Sequence, residues 1–238
     1  MGADRGAALM WEWLTNPDNW TKTFGTPGIP QRLAEHLQYT AVAVVIAALI
    51  AVPLGAYIGH TGRGGTFVVG MVNAFRALPE LGLLILLALS MGVLLAFEAM
   101  TITLVLIAVP PMLAGTYAGI RNVDQSAVDA ARGMGMRERE VLVKVELPNA
   151  LPLILGALRT ATLQVIATAS IAAFVSLGGL GRFVVDGLAL REFDQMAGGA
   201  VLIAALAIVV ELVLAGAQWL VVSPGLRAPR SRKRKATT

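Results

Sequence analysis

Three stretches of this chain run for about 20 residues or more without Asp, Glu, Lys or Arg: Leu37–Gly62, Ala99–Ile120 and Thr160–Gly181. A fourth, Gly198–Val222, is broken only by Glu211. About 20 apolar residues in a helix cross the roughly 30 Å of bilayer hydrocarbon. Inside that layer every backbone N–H and C=O must be satisfied within the helix itself. The runs therefore specify an all-α polytopic membrane protein. Composition agrees, because charged residues are 14% of the chain, too few to cover a water-facing surface.

The stretch 64–97 sets the span count. It carries Arg76, Pro79 and Glu80. As one straight helix it would reach about 50 Å, too long for one crossing and too short for two. A helix broken near Leu78-Pro79 fits, since proline removes a donor and crowds the preceding turn. Counting it as one element gives five spans, with Arg63, Arg121 and the basic cluster 132–144 on one side. Counting two gives six and puts Arg63 opposite. The positive-inside rule favours five, with six as the alternative. Both arrangements leave the loop 121–148 and the C-terminus in the cytoplasm.

Composition also excludes chemistry. Cysteine is absent, and His36 and His60 are the only histidines, so neither a thiolate nucleophile nor a HExxH metal site is available. No metal, cofactor or catalytic residue is expected. Of 19 basic residues, six lie at Arg227, Arg230, Arg232, Lys233, Arg234 and Lys235. This tail, 223–238, reads as a cytoplasmic anchor that can touch anionic lipid, with no nucleic-acid partner. Met1–Met10 lacks the apolar core of a cleaved leader. Segment 1–32 holds Trp11, Trp13 and Trp20 and reads as extracytoplasmic and interfacial, with a helix at roughly 7–15.

The loop before the fourth span has its own logic. Asp124 is suited to cap a short helix bearing Ala127, Val128, Ala130 and Ala131. Gly133 and Gly135 supply a turn. A second short helix is expected from Met136 to Val145, ending before Pro148. Such a glycine-jointed pair suits insertion into a groove on a partner protein; the alternative is an amphipathic loop lying on the membrane surface.

The spacing of these residues resembles the signature of binding-protein-dependent ABC importer permeases: Glu-Ala-Ala, three residues, Gly, nine residues, Ile, one residue, Leu-Pro. Asp129-Ala130-Ala131 stands at the triplet, Gly135 at the glycine, Val145 at the isoleucine, and Leu147-Pro148 closes it. Asp for Glu and Val for Ile keep charge and shape. The resemblance implies a type I importer transmembrane domain over 33–222, like the methionine permease fold, in the bacterial inner membrane. It implies two cytoplasmic ATP-binding subunits, a second identical or paralogous permease, and an extracytoplasmic binding protein. The chain has no GxxxxGK[ST], so ATP chemistry belongs to the partner.

Shorter resemblances point to the osmoprotectant branch, which carries glycine betaine, carnitine, choline or proline. They are Glu35-His36-Leu37, Pro53-Leu54-Gly55, Arg76-Ala-Leu-Pro79, Gly178-Gly-Leu-Gly181 and Val185-Asp186-Gly187-Leu188. A methionine or amino-acid permease is the alternative. Aromatics are 6% of the chain, so no tight aromatic cage for substrate is expected in the spans.

Charges at membrane depth mark candidate gate or pathway positions. Arg76 and Glu80 could pair across Pro79, either as a gate or as a static pair. Glu211 is expected to make an interhelical hydrogen bond, and Arg159 to anchor the cytoplasmic end of its span. Gly178, Gly179 and Gly181 could form a flexible joint or admit close chain approach. Asp186 and residues 191–194 fall in an external loop. A secondary transporter would show inverted repeats and an ionisable relay, which the chain lacks. An intramembrane enzyme would need a nucleophile and base, and a simple anchor would not need the 129–148 spacing.

Overall fold

A computed structural model of the chain describes residues 2–21, 27–223 and 225. Among these the regular structure is helical throughout, and the basic tail lies almost entirely outside them. Four helices are long and apolar enough to cross a membrane. The pair α3 (Gly65–Arg76) and α4 (Glu80–Met91) is bent by 84° and makes a fifth crossing if it is counted as one broken span. The break falls at Ala77-Leu78-Pro79, where the ring of Pro79 cannot continue the ladder. Among the described residues the structure thus offers four spans, or five with the bent pair counted as one.

The centre is a three-helix stack of α2 (Ile29–Thr61), α5 (Ala96–Arg121) and the long helix whose main part is α8 (Leu147–Ala169). Small residues set its spacing. Gly55 and Gly59, one turn apart on α2, face Thr116 and Ile120 of α5; a Cβ at either would lie 2.8 Å or 2.7 Å from those side chains. Gly115 and Gly119 on α5 repeat the device against Ala157 and Ala150 of α8. Lipid tails are as apolar as leucine, so helices in a bilayer associate through such close packing rather than through water exclusion. Ala43, Ala47, Ala51, Ala108 and Ala161 fill the same core.

Around this stack lie α10 (Phe193–Val221), packed on α8 through Leu206 and Ile166, and the broken pair, packed on α5. Outward-facing Leu86, Leu89, Leu212, Val213 and Leu220 are exposed, as a lipid-facing surface requires. At the end of the molecule away from the loop 121–148, α1 (Gly2–Thr15) lies against α10, with Trp13 edge-on to Phe183 at 5.2 Å between centroids. Helix α9 (Gly181–Leu190) carries Phe183.

Several boundaries differ from expectation. Helix α2 begins at Ile29, inside the segment assigned to the N-terminus, because Pro30 at its first turn is pre-set for helix. The interfacial helix runs from Gly2 rather than from residue 7. Asp186 sits in α9, paired with Arg182 at 3.0 Å, rather than in a loop. The second loop helix does not end before Pro148. A short helix α7 (Glu138–Val141) passes through a wide turn at Leu142–Glu146 directly into α8. In that turn the Leu147 amide reaches back to the Leu142 carbonyl, five residues away, and the widened ladder admits Pro148 and its missing donor.

Replacing Gly115 by Leu should lower the stability of the protein in detergent by about 1–3 kcal/mol, as overpacking does. Gly156→Ala on α8, where an added Cβ meets nothing within 4 Å, should be neutral. Thermal unfolding followed by size-exclusion chromatography reads both; equal stability of the two variants would refute the close-packing account.

Candidate coupling loop and transmembrane site

The loop end of the molecule is built from α6 (Gln125–Gly133) upward. The Asp124 side chain accepts the Ser126 amide at 2.9 Å and caps the helix. Those bonds from Ser126 hold the Asp124 carboxyl below its usual range. Helix α6 then divides its faces. Val128 and Ala131 are buried among Ile120, Val123, Val141, Ala150 and Ile154. Ala127, Asp129, Ala130 and Met134 point outward. Ala131, Val145 and Leu147 of the motif therefore pack on this chain's own core, while Asp129, Ala130, Gly135 and Pro148 are exposed.

The turn after α6 belongs to Gly135, not Gly133. Gly133 remains helical, whereas Gly135 adopts φ +81°, a left-handed conformation that costs other residues about 1 kcal/mol or more. Space does not demand the glycine, since a Cβ there would meet nothing within 4 Å. Backbone conformation does.

A side-chain network then fastens the loop to the first span, a feature the sequence does not disclose. His60, in the last turn of α2, donates from Nδ1 to the buried Glu146 carboxylate at 2.6 Å. Its Nε2 lies 3.3 Å from Glu138, which in turn accepts two hydrogen bonds from Arg132 of α6 at 3.0 and 2.9 Å. Those bonds raise the Arg132 pKa above its usual value. The sequence marks only that Glu146 stands one helical turn before Ala150, a core position; it does not mark its partner.

At membrane depth Glu80, the first residue of α4, accepts a hydrogen bond from Thr168 of α8 at 2.8 Å. The side chain of Arg76 lies outside the described residues, so its proposed pairing with Glu80 does too. Pro79 is the N-cap of α4. Glu80 also faces a cavity of about 190 Å³ lined by Val72 and Phe75 of α3, Ile107, Pro110 and Pro111 of α5, and Thr160 and Gln164 of α8.

Glu211 of α10 binds Arg159 of α8, which also donates to Gln218 at 2.8 Å. Gln218 donates to the Pro152 carbonyl at 3.1 Å. The helix that carries Arg159 begins well upstream, at Glu138, and its 38 residues exceed the hydrocarbon thickness, so the arginine stands within a continuous helix and is joined to α10 by its acid partner. At the far end two of the short motifs meet: Glu35 accepts the Gly179 amide at 2.8 Å, and buried His36 donates from Nε2 to the Ile166 carbonyl at 2.9 Å. Gly178 leaves room for the Glu35 carboxylate, which a Cβ would strike. No group of side chains that could hold a metal occurs among the described residues.

A double-mutant cycle on His60→Leu and Glu146→Leu should show coupling of about 1–3 kcal/mol, with the double variant more stable than the sum of the singles predicts. Additive losses in detergent unfolding would mean that the two side chains do not support one another.

Residues 51–227 match the family described as binding-protein-dependent transport system inner membrane component. The choline transport system permease protein OpuBB of Bacillus subtilis is 36% identical over 184 residues, 77% of this chain and 84% of that protein. The glycine betaine/carnitine/choline transport system permease protein OpuCB of the same organism is 35% identical over 196 residues, 82% and 89% of the two chains. Among solved structures, an inward-facing methionine ABC transporter, MetNI, superposes with a TM-score of 0.71 at 20% identity, covering 82% of this chain and 96% of that one. That likeness establishes the type I importer fold. With its long apolar helices and its loop closed by Leu147-Pro148, the chain belongs to the inner membrane components of binding-protein-dependent transport systems.

Proposed function

We propose that this chain is the permease subunit of an ATP-driven importer for an osmoprotectant of the glycine betaine, carnitine, choline or proline type. The observation that carries the reading is the identity to curated choline and glycine betaine/carnitine/choline permeases over three quarters or more of the chain. The domain proper is 33–222, with an extracytoplasmic segment 1–32 and a cytoplasmic tail 223–238. Two cytoplasmic ATPases, a second permease and an extracytoplasmic binding protein complete the assembly. This chain supplies no ATPase site.

The geometry of the loop supports a coupling role for 129–148. Ala127, Ala130 and Asp129 form an exposed helix face of small residues with one charge, able to enter a groove on an ATPase closely. The other face, Val128 and Ala131, is packed against Ile120 of α5 and Ala150 and Ile154 of α8. Push or pull on the exposed face is therefore delivered to α5 and α8, and through Arg132, Glu138 and His60 to α2. ATP binding closes the ATPases, draws the two coupling loops together and opens the pathway outward to the binding protein; hydrolysis resets it inward.

Membrane vesicles holding the four kinds of subunit should take up labelled glycine betaine, carnitine or choline only with ATP and binding protein. Uptake of methionine alone would instead favour an amino-acid importer. Gly135→Asp should leave the permease inserted yet abolish ATPase copurification, because the aspartate meets both a left-handed backbone and the docking surface. Undiminished copurification would remove the loop from the coupling role.

A further inference from the structure

The cavity beside the helix break has a composition that solute passage alone does not require. Glu80 is the one acidic or basic side chain among its described lining residues, and one oxygen of its carboxyl group takes the Thr168 hydroxyl. A carboxylate has about four acceptor positions, so most of that capacity remains for something else. Phe75 lines the same space from α3, with Thr160 and Gln164 on the α8 side. Pro110 and Pro111 line it from the middle of α5. Neither proline has an N–H, so the carbonyls of Leu106 and Ile107 lose their usual helical partners. The wall thus combines one carboxyl group, an aromatic ring and the two polar side chains of Thr160 and Gln164 with otherwise apolar residues.

We propose that this cavity is a transit subsite for the quaternary ammonium group of the solute, with Glu80 supplying the charge and Phe75 the ring. The inference rests on the osmoprotectant reading and adds to it a site in the permease itself. A quaternary ammonium has no N–H to donate, so it is recognised by charge, by ring faces and by apolar contact rather than by hydrogen bonds. A low-dielectric setting strengthens the first of these. A full aromatic cage would hold the solute too tightly to release it. One carboxylate and one ring give a weak site, which passage requires. The polar end of the solute, hydroxyl or carboxylate, then meets Thr160 and Gln164.

The charge argument separates substrates. Choline carries a net positive charge, and Glu80 attracts the whole molecule. Glycine betaine carries its own carboxylate beside the ammonium, which Glu80 repels. Glu80 therefore favours choline over betaine within the membrane, whatever the binding protein prefers.

The complete importer, reconstituted in vesicles with saturating loaded binding protein, tests this through maximal uptake rates. Glu80→Gln keeps the shape and an acceptor for Thr168 but removes the charge; it should lower the choline rate by about tenfold and the betaine rate by less than about threefold. Phe75→Leu should slow both. Thr168→Val breaks the hydrogen bond while leaving the charge, and should change both rates by less than about twofold. If Glu80→Gln slows the two solutes equally, or Thr168→Val reproduces its effect, Glu80 acts only as a brace between α4 and α8 and the subsite is refuted. If the wild-type importer moves neither solute, the osmoprotectant reading fails. The subsite is then decided by whether tetramethylammonium raises the melting temperature of the full complex and whether Glu80→Gln abolishes that rise. No rise in the wild type, or a rise that survives in the variant, overturns it.

Discussion

Everything in this molecule hangs on how closely α2, α5 and α8 approach one another. Gly55 and Gly59 let α5 come against α2, and Gly115 and Gly119 let α8 come against α5. In a bilayer this closeness is the chief source of helix association, since no water is released by burying apolar side chains already bathed in lipid. The residues that fill the stack are correspondingly small: alanines on α2 and α8, with Thr116 satisfied by its own Met112 carbonyl. Larger side chains of α5, Met100, Leu104, Met112 and Leu113, fill the space between them, and others such as Leu86, Leu89 and Leu212 turn outward to lipid.

A tightly packed stack makes α2 a strut. Its 33 residues span about 50 Å, longer than the hydrocarbon, so its two ends emerge at opposite faces. One end holds Glu35 and His36 against the Gly178–Gly181 turn and α8. The other holds His60 against Glu146 and Glu138. Both contacts join α2 to the same long helical element, which enters as α7 and leaves near Ser176. The two polar contacts therefore hold one helix pair at both ends, and a shift of the loop is opposed by the whole pair rather than by one side chain.

How much of this the sequence discloses depends on the range of the interaction. The apolar runs, the break at Pro79 and the cap at Asp124 are local, and each shows in a few consecutive residues. The passage through Pro148 was missed because proline stops a helix only when the preceding turn stays regular; the wide turn at Leu142–Glu146 is a tertiary adjustment around buried Val141 and Glu146. The pairing of Arg159 with Glu211 is hidden for a related reason, since the two lie 52 residues apart on different helices. The pairing of His60 with Glu146, 86 residues apart, leaves no trace in spacing.

The motif in the loop carries two kinds of information that the structure separates. Ala131, Val145 and Leu147 are required by this chain's own packing, and Gly135 by its own backbone. Only Asp129, Ala130 and their exposed neighbours are free to answer to a partner. A spacing of this kind identifies the loop because its internal positions must keep register with the core, so the same residues that reveal the family say least about docking. On the coupling role proposed for the loop, specificity for one ATPase over another would fall to the exposed face, at Ala127, Asp129, Ala130 and Met134, where the protein's own packing constrains the choice least.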